Sequence, residues 1–173
     1  LNEQPHRLTA PGPLRFPEGF LWGTATSPTQ VEGGVRNEWT DFVAPDGGKC
    51  RVACDHYHRY AEDIEWMQRL GVKSYRMGIE WSRMQDRVNG PLNQHELSHY
   101  RDVLDALLAA GITPMVVLHH FSNPPWVTVQ GGWTNPATIA AFTNYVAQLA
   151  VALRDRVRLW NTFNEPDTYA SCT

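Results

Sequence analysis

At 173 residues the chain is long enough for one ordinary domain with a sizeable core, and 42% hydrophobic residues place it among sequences that fold. A net charge of -3, with no run of Lys or Arg, argues against nucleic acid or an anionic membrane surface as the main partner. No apolar run approaches the ~20 residues of a transmembrane helix, and three cysteines, Cys50, Cys54 and Cys172, make no disulfide framework and leave at least one free thiol.

Leu1 to Pro17 is Pro-rich and reads as an extended arm, with residues 1–15 set apart from the body of the chain. It lacks the charged and apolar regions of a signal peptide, so a cytoplasmic location is expected. The chain starts at Leu1 without Met and stops at Thr173, and it reads as a fragment.

Phe20 to Thr26 reads as a buried strand ending in small residues, followed by a polar loop, Ser27 to Gly34, that contains Gln30 and Glu32. Val35 to Cys54 has no period. Cys50 and Cys54 precede His56 and His58, but the spacing matches none of the common zinc signatures. A helix is expected from Asp55 as its cap, with Tyr57, Tyr60, Ala61, Ile64, Met67 and Leu70 as its apolar face and Gly71 as its stop. Val72 to Ile79 follows as a second strand.

The second helix opens on Asn93 with Glu96 three residues on, a capping box with Asn in place of Ser or Thr. Leu97, Tyr100, Val103, Leu104, Leu107 and Leu108 form its buried face, and Gly111 ends it. Thr113 to Leu118 is a continuous apolar run, as in a parallel strand buried on both faces. His119 to Trp133 reads as a long loop. Asn135-Pro136 caps a third helix with a stripe of Ile139, Phe142, Val146, Leu149 and Leu153. The fourth strand, about Val157 to Phe163, stops at Asn164-Glu165-Pro166.

Strands alternating with helices imply a parallel sheet, either doubly wound or a (β/α)8 barrel. A doubly wound nucleotide binder wants a Gly-x-Gly-x-x-Gly turn after strand one, and Thr24 to Gly34 does not fit it. Polar and aromatic residues follow every strand instead: Gln30, then Trp81 and Arg83, then His119 and His120, then Asn164 and Glu165. Chemistry gathered at the carboxyl ends of successive strands is the TIM barrel arrangement, and this chain supplies about its first four strands.

These residues carry a family resemblance. Phe16-Pro17-Glu18-Gly19-Phe20-Leu21-Trp22-Gly23-Thr24-Ala25-Thr26-Ser27, continuing through Gln30-Val31-Glu32-Gly33, resembles the N-terminal signature of glycoside hydrolase family 1, the β-glucosidases. Cys54-Asp55-His56-Tyr57-His58-Arg59-Tyr60 is similar to the family's first helix, and Tyr75-Arg76-Met77-Gly78-Ile79-Glu80-Trp81-Ser82-Arg83 to its second strand. His119-His120-Phe121-Ser122-Asn123-Pro124 resembles the end of its third strand, and Thr162-Phe163-Asn164-Glu165-Pro166 that of its fourth.

The resemblance implies a retaining β-glycosidase with two carboxylates, acting on a β-linked glycoside or oligosaccharide and needing neither metal nor organic cofactor. Glu165 would be the acid/base, with a pKa raised by burial or a neighbouring negative charge. Asn164 would bond the sugar 2-hydroxyl, Gln30 and His120 would read other hydroxyls, and Arg76 would pair with the nucleophile beneath the site. The choice of His120 over His119 comes from counting back from Pro124. The nucleophile Glu, expected in a Thr/Ile-Glu-Asn-Gly motif on the seventh strand, lies outside this chain, as does the C-terminal half of the barrel. Trp81 and Trp126 read as packing residues, Glu32 and Glu80 as structural. The segment Met84-Gln85-Asp86-Arg87 departs from the family in lacking a Pro. Glu rather than Gln at position 165 argues against the thioglucosidase branch.

The alternative from another class is a non-catalytic half-barrel, inactive alone. A third reading, another barrel glycosidase sharing Asn-Glu-Pro, is opposed by Gln30 and by the Cys54–Tyr60 motif.

Overall fold

A computed structural model describes residues 12–172. Most of the arm expected over residues 1–15 therefore lies outside the described residues. The chain forms one parallel sheet of four strands in sequence order: β1 (Gly23–Ala25), β2 (Ser74–Gly78), β3 (Thr113–His119) and β4 (Leu159–Phe163). Each gap between strands carries a short helix and then a long one: α1 (Pro28–Val31) and α2 (His56–Arg69) after β1, α3 (Trp81–Met84) and α4 (Gln94–Ala109) after β2, α5 (Pro125–Val129) and α6 (Ala137–Leu153) after β3. A final helix, α7 (Pro166–Cys172), follows β4.

Alternation along the inner strands sorts their side chains. Tyr75 and Met77 of β2 and Val116 and Leu118 of β3 enter the core between sheet and helices, while Ser74, Arg76 and Gly78 take the opposite face. Against the core side pack Leu97, Tyr100, Val103, Leu104 and Leu107 of α4 and Phe142, Tyr145, Leu149 and Leu153 of α6, all buried. Asn93 caps α4 as expected, its side chain accepting from the amides of His95 and Glu96. The reciprocal arm of the capping box is replaced: Glu96 accepts from the Tyr57 hydroxyl at 3.1 Å.

Several expectations are corrected. Asp55 precedes α2 in a left-handed conformation (φ 55°) and its carboxylate bonds His58 Nδ1 at 2.7 Å instead of capping the backbone. Leu70, Leu108 and Ile139 are exposed, because each lies just off the face that meets the sheet. The two loops Ser27–Gly34 and His119–Trp133 contain helices α1 and α5, both opened by proline, whose fixed φ suits a first helical turn. Phe20, Leu21 and Trp22 are exposed and precede a strand of only three residues. Among the described residues β1 is an edge strand, with β2 on one side alone.

Glycine allows two close approaches that set the site. A Cβ on Gly23 would stand 2.5 Å from the Ser74 carbonyl oxygen, and one on Gly78 would stand 2.5 Å from Cδ of Pro28. Helix α1, which carries Gln30, thus rests directly on the end of β2.

Candidate active site

The carboxyl ends of β1, β3 and β4 converge on one cavity of about 500 Å³. Gln30, His120, Asn164 and Glu165 line it, with Ser27, Thr29, Trp39, Phe42, Cys50 and Phe121. Three loops from distant parts of the chain therefore bring together four of the five residues singled out from sequence. The fifth, Arg76, reaches the group from the sheet. It lies mid-strand in β2, in register with Met115 and with Ala25, the last residue of β1, and its Nη2 donates to Asn164 Oδ1 at 2.9 Å.

Local structure explains each placement. Asn164 N–H donates to the His119 carbonyl at 2.9 Å and continues the β3–β4 ladder one step. Glu165 then turns left-handed (φ 43°), and Pro166, which cannot continue a ladder, opens α7. This turn leaves the Glu165 side chain on the cavity wall and exposed. The burial expected around an acid is thus not supplied by the described residues of this chain. Gln30 is exposed as well, with its Oε1 accepting from Ser27 Oγ at 2.8 Å. Both amides have their oxygen engaged by the protein, which leaves the NH₂ groups of Gln30 and Asn164 as the donors available to a ligand.

The two histidines separate clearly. His120 is half-buried on the cavity wall, and burial and the Arg76 guanidinium hold its imidazole down at about 4, against the opposing pull of Glu165. His119 is 3% exposed and faces away, its Nε2 3.1 Å from Asn123 Oδ1, and burial depresses it likewise to about 4. Neutral His120 offers one ring donor and one acceptor.

Other polar residues from the motifs form supports. Glu80 is buried and accepts from Ser82 Oγ and Ser122 Oγ, each at 2.8 Å, and burial raises its pKa. Glu32 accepts from Arg83 Nε at 2.8 Å and from the Tyr100 hydroxyl at 2.9 Å. Burial pushes it up to about 7 against the attraction of Arg83. Trp81 is buried and stacks on Tyr145, and the Trp126 indole donates to the Gln85 carbonyl. Gln85, where the family would have its proline nearby, is 1% exposed and ties Trp81 Nε1 to the Gly90 carbonyl. His56 pairs with Asp63 at 2.6 Å, and Cys50 and Cys54 are exposed. Among the described residues no group of three His, Cys, Asp or Glu side chains could hold a metal ion.

The cavity residues not singled out from sequence are Trp39, Phe42 and Cys50, together with Ser27, Thr29 and Phe121. The first three lie in the stretch without a period, where only the clustering of two aromatics gave any signal.

A parallel βα sheet with polar side chains collected at its carboxyl edge is part of a (β/α)8 barrel. The chain belongs to glycosyl hydrolase family 1, whose model matches residues 13–173. It is 40% identical over 163 residues to β-glucosidase A of Thermotoga maritima, covering 88% of this chain and 36% of that protein. It is 40% identical over 166 residues to thermostable β-glucosidase B of Thermobispora bispora, covering 91% and 35%. The structure of the Thermotoga maritima β-glucosidase in complex with castanospermine superposes with a TM-score of 0.86 at 40% identity, over 91% of this chain and 38% of that one. The chain thus spans little more than a third of the length of these relatives. Among the described residues no helix is long and apolar enough to cross a membrane.

Proposed function

We propose that this chain carries the acid/base and sugar-reading part of a retaining β-glycosidase. The observation that carries the reading is the convergence of Gln30, His120, Asn164 and Glu165, from three separate strand ends, on one cavity. Relatives of similar sequence named β-glucosidases support the substrate class, a β-linked glucoside.

In the first step a nucleophilic carboxylate attacks the anomeric carbon, the bond from that carbon to the glycosidic oxygen breaks, and Glu165 gives its proton to the departing oxygen. In the second, Glu165 as carboxylate takes a proton from water, whose oxygen displaces the nucleophile from the anomeric carbon. Asn164, with its oxygen held by Arg76, turns its NH₂ toward the 2-hydroxyl. Gln30 and His120 read further hydroxyls. Among the described residues that line the cavity, Glu165 is the only carboxylate. The second carboxylate that retaining chemistry needs, about 5–5.5 Å away, has to come from the strands that family relatives carry beyond this span. Residues 16–173 then form the N-terminal half of the barrel, and the chain is inactive alone.

The test is hydrolysis of an alkyl β-glucoside by the chain alone and by the chain joined to the remaining barrel strands of the Thermotoga maritima relative. Turnover by the chimera alone, with the β-anomer released first as read by proton NMR, is the expected result. Turnover by the isolated chain, or release of the α-anomer, would overturn the two-carboxylate half-site.

A further inference from the structure

We infer that Trp39 is a positioning residue of this site: its indole N–H fixes the turn that presents His120, while its backbone is anchored to the helix that presents Gln30. The inference rests on the reading of those two residues as sugar contacts.

The strand order separates the two contacts. Gln30 follows β1 and His120 follows β3, and β2 lies between, so the two strands that deliver these contacts do not pair directly. Trp39 spans the gap. On one side its indole Nε1 donates to the Phe121 carbonyl at 2.5 Å. On the other its backbone amide donates to Asn37 Oδ1 at 2.9 Å, and Asn37 Nδ2 donates to Thr29 Oγ1 at 2.7 Å, next to Gln30 in α1. One hydrogen-bonded path therefore runs from α1 to the residue after His120.

Phe121 needs such a hold. It sits at φ 61°, a left-handed conformation that is strained for a residue with a Cβ and persists only where the surroundings over-determine it. The Trp39 bond secures its carbonyl. The neighbouring Glu38 secures the rest of the turn, accepting from Asn123 N at 3.1 Å and from Asn123 Nδ2 at 3.0 Å. The peptide plane after Phe121, and with it the turn that directly follows His120, is thus held from the segment around Trp39.

Trp39 also lines the cavity, so an aromatic platform for the sugar is the competing role. Trp39→Phe separates the two, since it keeps a ring and removes the donor. The experiment is an NMR titration of the His120 and His119 ring protons in the parent chain and in Trp39→Phe, with thermal melting and phenyl β-D-glucoside binding measured on both. The charged and titratable groups facing His120 are Arg76, Glu165 and His119, and the substitution alters none of them. The expected result is a His120 that titrates higher, toward the ordinary imidazole value, with His119 and the melting temperature little changed and glucoside affinity about tenfold weaker. A His120 titration identical to the parent's would overturn the inference, as would a shift of both histidines with a large loss of melting temperature. A parent chain that binds no phenyl β-D-glucoside refutes the sugar reading, and the histidine titration still decides the role of Trp39.

Discussion

His119 and His120 are sequence neighbours with opposite fates, and the end of β3 divides them. His119 is the last residue of β3, buried against Trp133, Phe163 and Tyr169, and His120 is the first beyond it, on the cavity wall. Both imidazoles are depressed to about 4. The unfolded chain therefore binds protons between about 4 and the usual histidine value that the folded chain does not. Their contribution to stability is complete above about pH 6.5 and is lost as pH falls toward 4, on the order of 3 kcal/mol for His119. Urea denaturation of His119→Gln across pH 4 to 7.5 should show a shallower fall than the parent chain, and parallel curves would contradict the buried neutral imidazole. The motif pointed to His120 by position alone. That His119 instead braces the turn through Asn123 depends on a partner four residues on, which no local period encodes.

At the level of elements, the long helices were legible because their apolar faces recur at helical spacing, and β3 because its run of apolar residues leaves no alternative. The short elements were not. Helices α1, α5 and α7 each begin at a proline that also reads as a loop signal, and each is stabilised by tertiary contacts more than by its few residues. Helix α1 matters most because it carries Gln30 and leans on Gly78. Gly78→Ala should push Pro28 away from β2, costing about 1–3 kcal/mol as an overpacked contact. The same substitution should weaken glucoside binding with the His120 titration unchanged. An alanine variant as stable as the parent in denaturant would show that α1 yields freely and does not set the place of Gln30.

At the scale of the whole molecule, the described residues form a sheet with two open edges. Strand β1 is exposed along its length and β4 is only partly buried, while Phe16, Phe20 and Trp22 make an exposed aromatic cluster with ring centroids 4.5–5.1 Å apart. Unpaired strand edges beside apolar surface invite pairing with other chains. Sedimentation of the isolated chain should therefore show association that grows with concentration, and a monomer at every concentration would mean that these edges are protected. The barrel architecture was readable because polar residues followed every strand. The openness of Glu165 was not readable, since it depends on what stands opposite the strand end, and sequence shows only which residues come before and after.

The role of Glu165 as proton donor can be tested through the leaving group. An alkoxide departs only with a proton, whereas a dinitrophenolate departs without one, so loss of the acid should slow the first step for one substrate and spare the other. The decisive measurement is the rate of glycosyl transfer to the enzyme for an alkyl and a dinitrophenyl β-glucoside, in the completed barrel and its Glu165→Gln variant. The expected loss is on the order of 10²–10⁴ for the alkyl glucoside and almost none for the dinitrophenyl glucoside. Equal losses for both substrates, or none for either, would show that Glu165 is not the acid.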